Sequence, residues 1–153
     1  IDSTGRRPDP GQDTAMGFVL PTPAKVEEGM RNLLRQFVPA EIRPRKGHKG
    51  LPGGVTVEPD LVFGGDAAIG EIKYRIFDGE WDNDGFRQLT TYTEAYETVL
   101  GVLIGFSEQP LEIDDVEVGR HRLRQLTWVA TEETDPLEQA DLLSRKVTAF
   151  LAS

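Results

Sequence analysis

Two carboxylates and a lysine are spaced so that they could converge on one spot. Asp60 lies in an alternating apolar run at 55–63, and Glu71 and Lys73 lie in a second run at 67–75. A period of two predicts a β-strand for each run. Two oxygen donors that meet beside an ammonium group can hold a divalent cation and stabilise developing negative charge. The first chemistry to consider is therefore metal-assisted hydrolysis.

The short connection between the two runs determines how they pair. Gly65 and Asp66 fit a two-residue hairpin turn of type II′, which prefers glycine first. In that register Asp60 stands opposite Glu71 with Lys73 on the same face, while the other face is apolar and can pack. Opposed like charges destabilise a sheet, so the pair needs compensation. Mg²⁺ would provide it, because one or two carboxylates, water and substrate phosphate commonly hold this ion, and the implied substrate is a phosphodiester.

A helix is predicted downstream, beginning at the acidic and amidic residues 82–84, which suit an N-cap. Gln88 and Tyr92 lie one turn apart on this helix, on a face distinct from its apolar residues. This spacing would let both side chains reach the same neighbouring element.

A second helix is predicted upstream of the two strands. At 100° per residue, Glu27 flanks the apolar stripe of this helix whereas Glu28 points away. The side chain of Glu27 is therefore predicted to face a sheet packed beneath the helix. Prolines mark the helix start, and the stripe follows them: Pro21, Pro23, Val26, Met30, Leu33 and Phe37.

These residues resemble the PD-(D/E)xK nuclease superfamily. The motif reads Pro59-Asp60, ten intervening residues, then Glu71-Ile72-Lys73. The Gln-x-x-x-Tyr spacing looks like the accessory motif of RecB-type and McrC-type nucleases, and the glutamate of the upstream helix looks like one that the family often carries there. The chain looks most like the McrC-type nuclease subunit of modification-dependent restriction systems. One departure is Glu71, where that branch commonly has Asp.

The resemblance implies a restriction-endonuclease-like α/β fold with the element order αβββαββα, a mixed central sheet flanked by helices. It also implies a DNA endonuclease that uses Mg²⁺, for which Mn²⁺ can substitute, and in-line attack that leaves 5′-phosphate ends. The implied metal ligands are Asp60, Glu71, the carbonyl of Ile72 and Glu27. Lys73 would orient the attacking water, and Gln88 and Tyr92 would position the strand or the water shell of the metal.

Two other functions stay open at this stage. A RecB-like repair exonuclease would carry the same motifs, and a catalytically silent domain of the same fold would bind only DNA or a protein. The complete set of Asp60, Glu71 and Lys73 argues against the silent domain. An ordinary strand-end carboxylate and a solvated strand face are the simplest alternative for these residues.

Charge and composition limit the remaining possibilities. The chain has 153 residues, 38% of them hydrophobic, a net charge of −9 and no cysteine. This suits one globular domain without disulfides or thiolate zinc sites. The acidic balance is unusual for a protein that binds phosphate groups, but the Gly-rich segment 43–54, called the basic segment below, is locally cationic. Its predicted DNA-binding residues, which could also form a solvated loop, are Arg43, Arg45, Lys46 and Lys49.

The predicted organisation is a linker at 1–16 followed by a nuclease domain at 17–153. No apolar run approaches the roughly 20 residues of a membrane span, so we expect a cytoplasmic protein without a membrane partner. The chain lacks a Gly-x-x-x-x-Gly-Lys-Ser/Thr loop and cannot itself be a nucleotide-driven motor. The McrC resemblance implies that a separate AAA+ GTPase supplies this function. The oligomeric state is left open.

Overall fold

The computed structural model describes residues 22–153, which form a mixed α/β fold. The predicted linker at 1–16, the predicted domain start at Gly17 and the predicted helix-start residue Pro21 lie outside the described residues. Three helices and seven strands follow one another in the order α1 (Pro23–Phe37), β1 (Lys49–Gly50), β2 (Thr56–Val57), β3 (Leu61–Phe63), β4 (Ala68–Ile76), α2 (Asn83–Ala95), β5 (Leu100–Ser107), β6 (Val116–Val118), β7 (His121–Val129) and α3 (Pro136–Leu151).

A five-stranded sheet with the strand order β3-β4-β5-β7-β6 forms the centre of the fold. The three inner strands are mutually parallel, and β3 and β6 are antiparallel at the edges. The mixed sheet flanked by helices confirms the predicted α/β class. The predicted order αβββαββα is wrong in detail, because β1 and β2 form a separate two-stranded sheet and because β6 adds an edge strand.

The two faces of the sheet bury separate apolar clusters. One face packs against α1 and α3, and the other packs against α2. The first cluster includes Met30, Leu34, Phe63, Ile72, Ile104, Val147 and Phe150, and the second includes Val62, Ile69, Leu89, Leu103 and Leu123. Where both faces are covered, over most of β5 and over residues 68–72 of β4, the strands are mainly apolar, as parallel strands usually are. None of the helices within residues 22–153 is long and apolar enough to cross a membrane.

Each helix begins at a residue whose side chain accepts a hydrogen bond from the first turn, which replaces a bond that the helix end cannot make. The predicted start of α2 is confirmed, with Asp82 as its N-cap, and α3 is the helix that ends the predicted order αβββαββα. The three caps are Thr22, Asp82 and Asp135.

The buried face of α1 differs from the predicted stripe. Met30 and Leu34 are buried, whereas Phe37, which was expected to pack, is 37% exposed. The helix is thus rotated relative to the prediction, which treated Glu27 as a flanking residue. Glu27 precedes Met30 by three positions and Leu34 by seven, so it shares their face.

The hairpin between β3 and β4 has the predicted register but a different turn. Leu61 pairs with Gly70, the pairing that a Gly65–Asp66 turn would give. Gly64, Gly65 and Asp66 have φ angles of 46°, 58° and 72°. Type II′ geometry needs a positive φ only at its first central residue, so the type II′ prediction is wrong. The two central residues of the turn, Gly65 and Asp66, both have a positive φ, which is instead typical of a type I′ turn.

The predicted strand at 55–63 is broken into two short pieces. Thr56–Val57 pairs with Lys49–Gly50, and pairing with β4 begins only at Leu61. Pro59 lies at the break, as expected for a residue that lacks a ladder donor. Both faces of β3 are buried, so the predicted packing of one apolar face is joined by burial of the other.

Gly101 of β5 lets α2 pack closely on the sheet. A β-carbon there would lie 2.8 Å from Leu123 and 2.9 Å from Thr93. We expect Gly101→Ala to lower the free energy of unfolding by about 1–3 kcal/mol, because the added methyl overpacks this contact. Chemical denaturation measures the change. Gly29→Ala is the control, since no atom lies within 4 Å of a β-carbon there, and a loss as large in the control would contradict the prediction.

Candidate active site

Asp60 and Glu71 meet as the hairpin register predicts, and both are only 5% exposed. Asp60 also has a structural role, because its Oδ2 accepts a hydrogen bond of 2.9 Å from the backbone N–H of Ile72. Pairing of β3 with β4 ends at Gly70, so this carboxylate replaces the next ladder bond. An extended residue directs its N–H and C=O to the same side. The carbonyl of Ile72, a predicted metal ligand, therefore leaves β4 on the side where Asp60 lies.

The environment of Glu71 strongly favours its neutral form. Burial, followed by the hydrogen bond and the charge of Asp60, raises the pKa of Glu71 to about 9, while the charge of Lys73 opposes this rise. The Oε2 atom of Glu71 is buried without a hydrogen-bond partner. Two carboxyl groups that lie within hydrogen-bond reach of each other cannot both stay ionised without a proton or a cation between them.

A third carboxylate, Glu27 of α1, lies beside Asp60. Burial raises the pKa of Glu27, and the charge and hydrogen bond of Asp60 raise it further. The charges of Lys46 and Arg31 lower it. The structure thus brings Glu27 beside Asp60, whereas the helical spacing predicted only that Glu27 faces the sheet.

Lys73 is held by the face of α2 that was predicted to approach the site. Its Nζ donates a hydrogen bond to Oε1 of Gln88, and Nε2 of Gln88 donates to the Tyr92 hydroxyl at 3.0 Å. Burial, together with the charges of Glu71 and Asp60, raises the pKa of Tyr92, and its bond with Gln88 opposes the rise. All three side chains therefore lie near the carboxylates.

A β-bulge in β4 lies directly at the lysine. Ile72 pairs with Ile104 and Ile76 pairs with Phe106, so four steps along β4 match two along β5. Bulges bend a strand and re-aim its side chains, and they are frequent beside active sites. Lys73 is the first residue of this irregular stretch, which begins immediately after the carboxylates.

Part of the basic segment is bound to neighbouring strands, through Arg45 to β3 and through Lys49–Gly50 to β2, and is not a free loop. Arg45 exchanges two backbone hydrogen bonds with Val62, and its guanidinium pairs with Asp66 at 2.7 Å. Lys46 is exposed, and its charge lowers the pKa of Glu27. Of the other two predicted DNA-binding residues, Arg43 is exposed, and the Nζ of Lys49 lies 5.1 Å from the centre of the Tyr96 ring.

No protein-family model, no curated protein and no solved structure matches this chain. Function must therefore be inferred from the residues of the site itself.

Two residues that position the site were missed by the sequence analysis. Arg31 of α1 donates a hydrogen bond of 3.0 Å to the carbonyl of Asp60. Its only sequence signal is its place one turn after Glu27, on the same face of the helix. Asp82 was predicted as a helix cap, but it also binds Arg75 of β4 at 2.8 Å and donates its N–H to Gln125 of β7 at 2.9 Å.

The three bonds of Asp82 join α2 to two strands of the sheet. Besides its bonds to Arg75 and Gln125, its Oδ2 accepts the N–H of Gly85 at 2.8 Å. These bonds fix the start of α2 relative to β4, and this in turn sets where Gln88 meets Lys73. The cap bond to Gly85 follows from the predicted helix start, but no spacing rule predicts the bonds to Arg75 and Gln125, because they join α2 to other elements of the fold.

The donor set suits Mg²⁺ in kind and in number. Within residues 22–153, no group of three or more His, Cys, Asp or Glu side chains is arranged to hold a metal ion. Mg²⁺ needs less, because one or two carboxylates usually hold it while water and phosphate fill its remaining positions. The buried, unpartnered oxygen of Glu71 next to Asp60 is an observation that fits this requirement.

Proposed function

We propose that this chain is a Mg²⁺-dependent DNA endonuclease domain of the PD-(D/E)xK superfamily. The observation that carries the proposal is the buried pair of Asp60 and Glu71, with one unpartnered carboxylate oxygen, beside the amine of Lys73. A purely structural pair of this kind would cost stability and would have no evident use for the lysine.

The proposed metal ligands are Asp60, Glu71 and the carbonyl of Ile72, with Glu27 in support. Mg²⁺ bound there would act as a Lewis acid and would lower the pKa of a bound water. Asp60 additionally keeps the two strands together through its bond to the N–H of Ile72. Removal of its carboxylate would therefore change both the ligand set and the local backbone.

Lys73 is the proposed catalytic cation. An ammonium group fixed beside buried carboxylates can hold the attacking water by a hydrogen bond and stabilise the negative charge that builds on the phosphate oxygens. The bond to Gln88 restricts the lysine side chain, and Tyr92 in turn holds Gln88. This restriction reduces the conformational entropy lost when the substrate arrives.

The arrangement of the elements supports a restriction-endonuclease-like fold. An antiparallel hairpin carries the carboxylates, a helix crosses over with the glutamine and tyrosine, and a parallel strand follows. We further propose that the domain is the McrC-type cleavage module of a cytoplasmic modification-dependent restriction system and works with a separate AAA+ GTPase. The basis for this branch is the motif set itself. Lys46 and the rest of the basic segment would contact the DNA backbone.

The test is to incubate the domain with plasmid and with single-stranded DNA in Mg²⁺ or Mn²⁺, beside Asp60→Asn. Asparagine keeps an oxygen that accepts the N–H of Ile72, so the variant should fold, but it loses the charge that the metal requires. We expect metal-dependent cleavage by the wild type alone. Equal degradation by both proteins would indicate a contaminant and remove the assignment. Should neither protein cut, calorimetric Mn²⁺ binding that is equally present in both, or absent from both, would also contradict the proposal.

A further inference from the structure

An apolar groove with a volume of about 420 Å³ lies at the carboxyl-terminal ends of the parallel strands. This is within the range of about 300–1,000 Å³ that is typical of small-ligand sites, and the ends of parallel strands are where α/β sheets usually bind ligands. Residues from α1, β4 and β5, together with the one that follows β7, line the groove: Val26, Tyr74, Arg75, Ile76, Phe106 and Ala130.

Two large apolar side chains in this groove are poorly covered. Tyr74 is 47% exposed and Ile76 is 59% exposed, although both lie in a strand of the central sheet. Tyr74 packs edge-to-face on Phe106, with 5.9 Å between the ring centres and 71° between the ring planes. This contact fixes the ring of Tyr74 while leaving much of it open. Neighbouring exposed apolar groups of this kind mark a binding surface.

The groove and the carboxylate site share one open strand edge. Because pairing with β3 stops at Gly70, the later residues of β4 have no neighbouring strand on that side within residues 22–153. Tyr74 directly follows Lys73, and Val26 directly precedes Glu27. A DNA strand whose phosphate lay over Lys73 would therefore cross the edge next to the tyrosine ring.

The groove also has a cation at its rim. Arg75 is anchored through one nitrogen to Asp82 at 2.8 Å, and its side chain is 47% exposed. A guanidinium has five N–H donors, so several of them can still bind an anion. An aromatic ring beside a fixed guanidinium complements a nucleotide, because the base can stack on the ring and the phosphate can pair with the guanidinium. A second copy of the chain would need about 800 Å² of contact per partner, far more than six lining residues supply.

We propose that this groove binds an unpaired nucleobase of the DNA strand next to the phosphodiester that is cut. The consequence is a preference for single-stranded or locally opened DNA, because a base inside a duplex is already stacked and cannot reach the ring. The inference rests on the proposed function and adds the form of the substrate.

The test compares binding of a labelled single-stranded oligonucleotide and of its duplex by fluorescence anisotropy, with Ca²⁺ in place of Mg²⁺. Tyr74→Ala should weaken single-strand binding by roughly 5- to 150-fold, the range for loss of one base–aromatic stack, and change duplex binding by much less. Tyr74→Phe keeps the ring and should bind like the wild type. Equal losses for both DNA forms, or no loss, would overturn the proposal.

Parallel measurements separate this proposal from the proposed function. If the wild type cuts DNA and Asp60→Asn does not, while Tyr74→Ala binds single strands normally, only the groove assignment fails. If the wild type neither binds nor cuts DNA, both fail. Sedimentation of wild type and Tyr74→Ala tests whether a second copy of the chain occupies the groove. A change in oligomeric state without a change in DNA affinity would identify an interface between copies and overturn the nucleobase assignment.

Discussion

Replacing Lys73 with alanine is expected to slow Mg²⁺-dependent DNA cleavage by roughly 10²- to 10³-fold, the usual loss when one donor that stabilises transition-state charge is removed. The reason is the position of the amine, which lies close enough to Glu71 to lower its pKa and is held by Gln88. Because this interaction strengthens in the transition state, kcat should fall while KM changes little.

Single-turnover cleavage with saturating protein measures this effect. Lys146→Ala is the matched control, since it removes the same charge from α3, which packs on the opposite face of the sheet from α2. Gln88→Ala should reduce the rate less than Lys73→Ala, because the amine remains and loses only its restraint. A Lys73→Ala protein that cuts at the wild-type rate would exclude the lysine from the chemistry.

Glu71→Gln is expected to stabilise the metal-free protein at alkaline pH. The pKa of Glu71 is raised from 4.5 to about 9, so the folded state binds more protons than the unfolded chain between these two values. Stability is therefore fully present below about pH 4.5 and is lost as pH rises toward 9, by at most about 1.4 kcal/mol per pH unit. Glutamine carries no charge and donates to Asp60 at every pH.

Denaturation in the presence of a chelator tests this prediction. Near pH 8 the free energy of unfolding of the variant should exceed that of the wild type by up to about 5 kcal/mol, and near pH 4.5 the difference should nearly vanish. Saturating Mg²⁺ should restore much of the wild-type stability by binding the folded state. Parallel pH profiles for the two proteins would contradict the proposed protonation of the pair.

The site was predictable where local pattern determines geometry. The period of two and the short glycine turn set the hairpin register, so the meeting of Asp60 and Glu71 followed from the sequence alone. Helical spacing likewise put Gln88 and Tyr92 on one face. Contacts between distant elements, such as Arg31 with the Asp60 carbonyl, have no such pattern and could not be predicted.

The errors in the fold prediction have definite physical causes. Alternation continued through Pro59, so the sequence suggested one strand where the missing N–H ends the ladder. On α1, the half-buried carboxylate of Glu27 was excluded from the apolar stripe, and this rotated the predicted face toward Phe37. The turn type was wrong because Asp66 adopts a positive φ, a conformation that Asp and Asn reach more easily than other non-glycine residues.

The length of the turn after β3 limits how this hairpin can change during evolution. Surface loops generally accept insertions and deletions at little thermodynamic cost. Phe63 and Ala68 are the last paired residues of the hairpin. A single residue added or removed between them would shift the register by one. Asp60 and Glu71 would then lie on opposite faces of the sheet. We therefore expect length variation among functional descendants of this chain to be rare in this turn and common in the loops far from it.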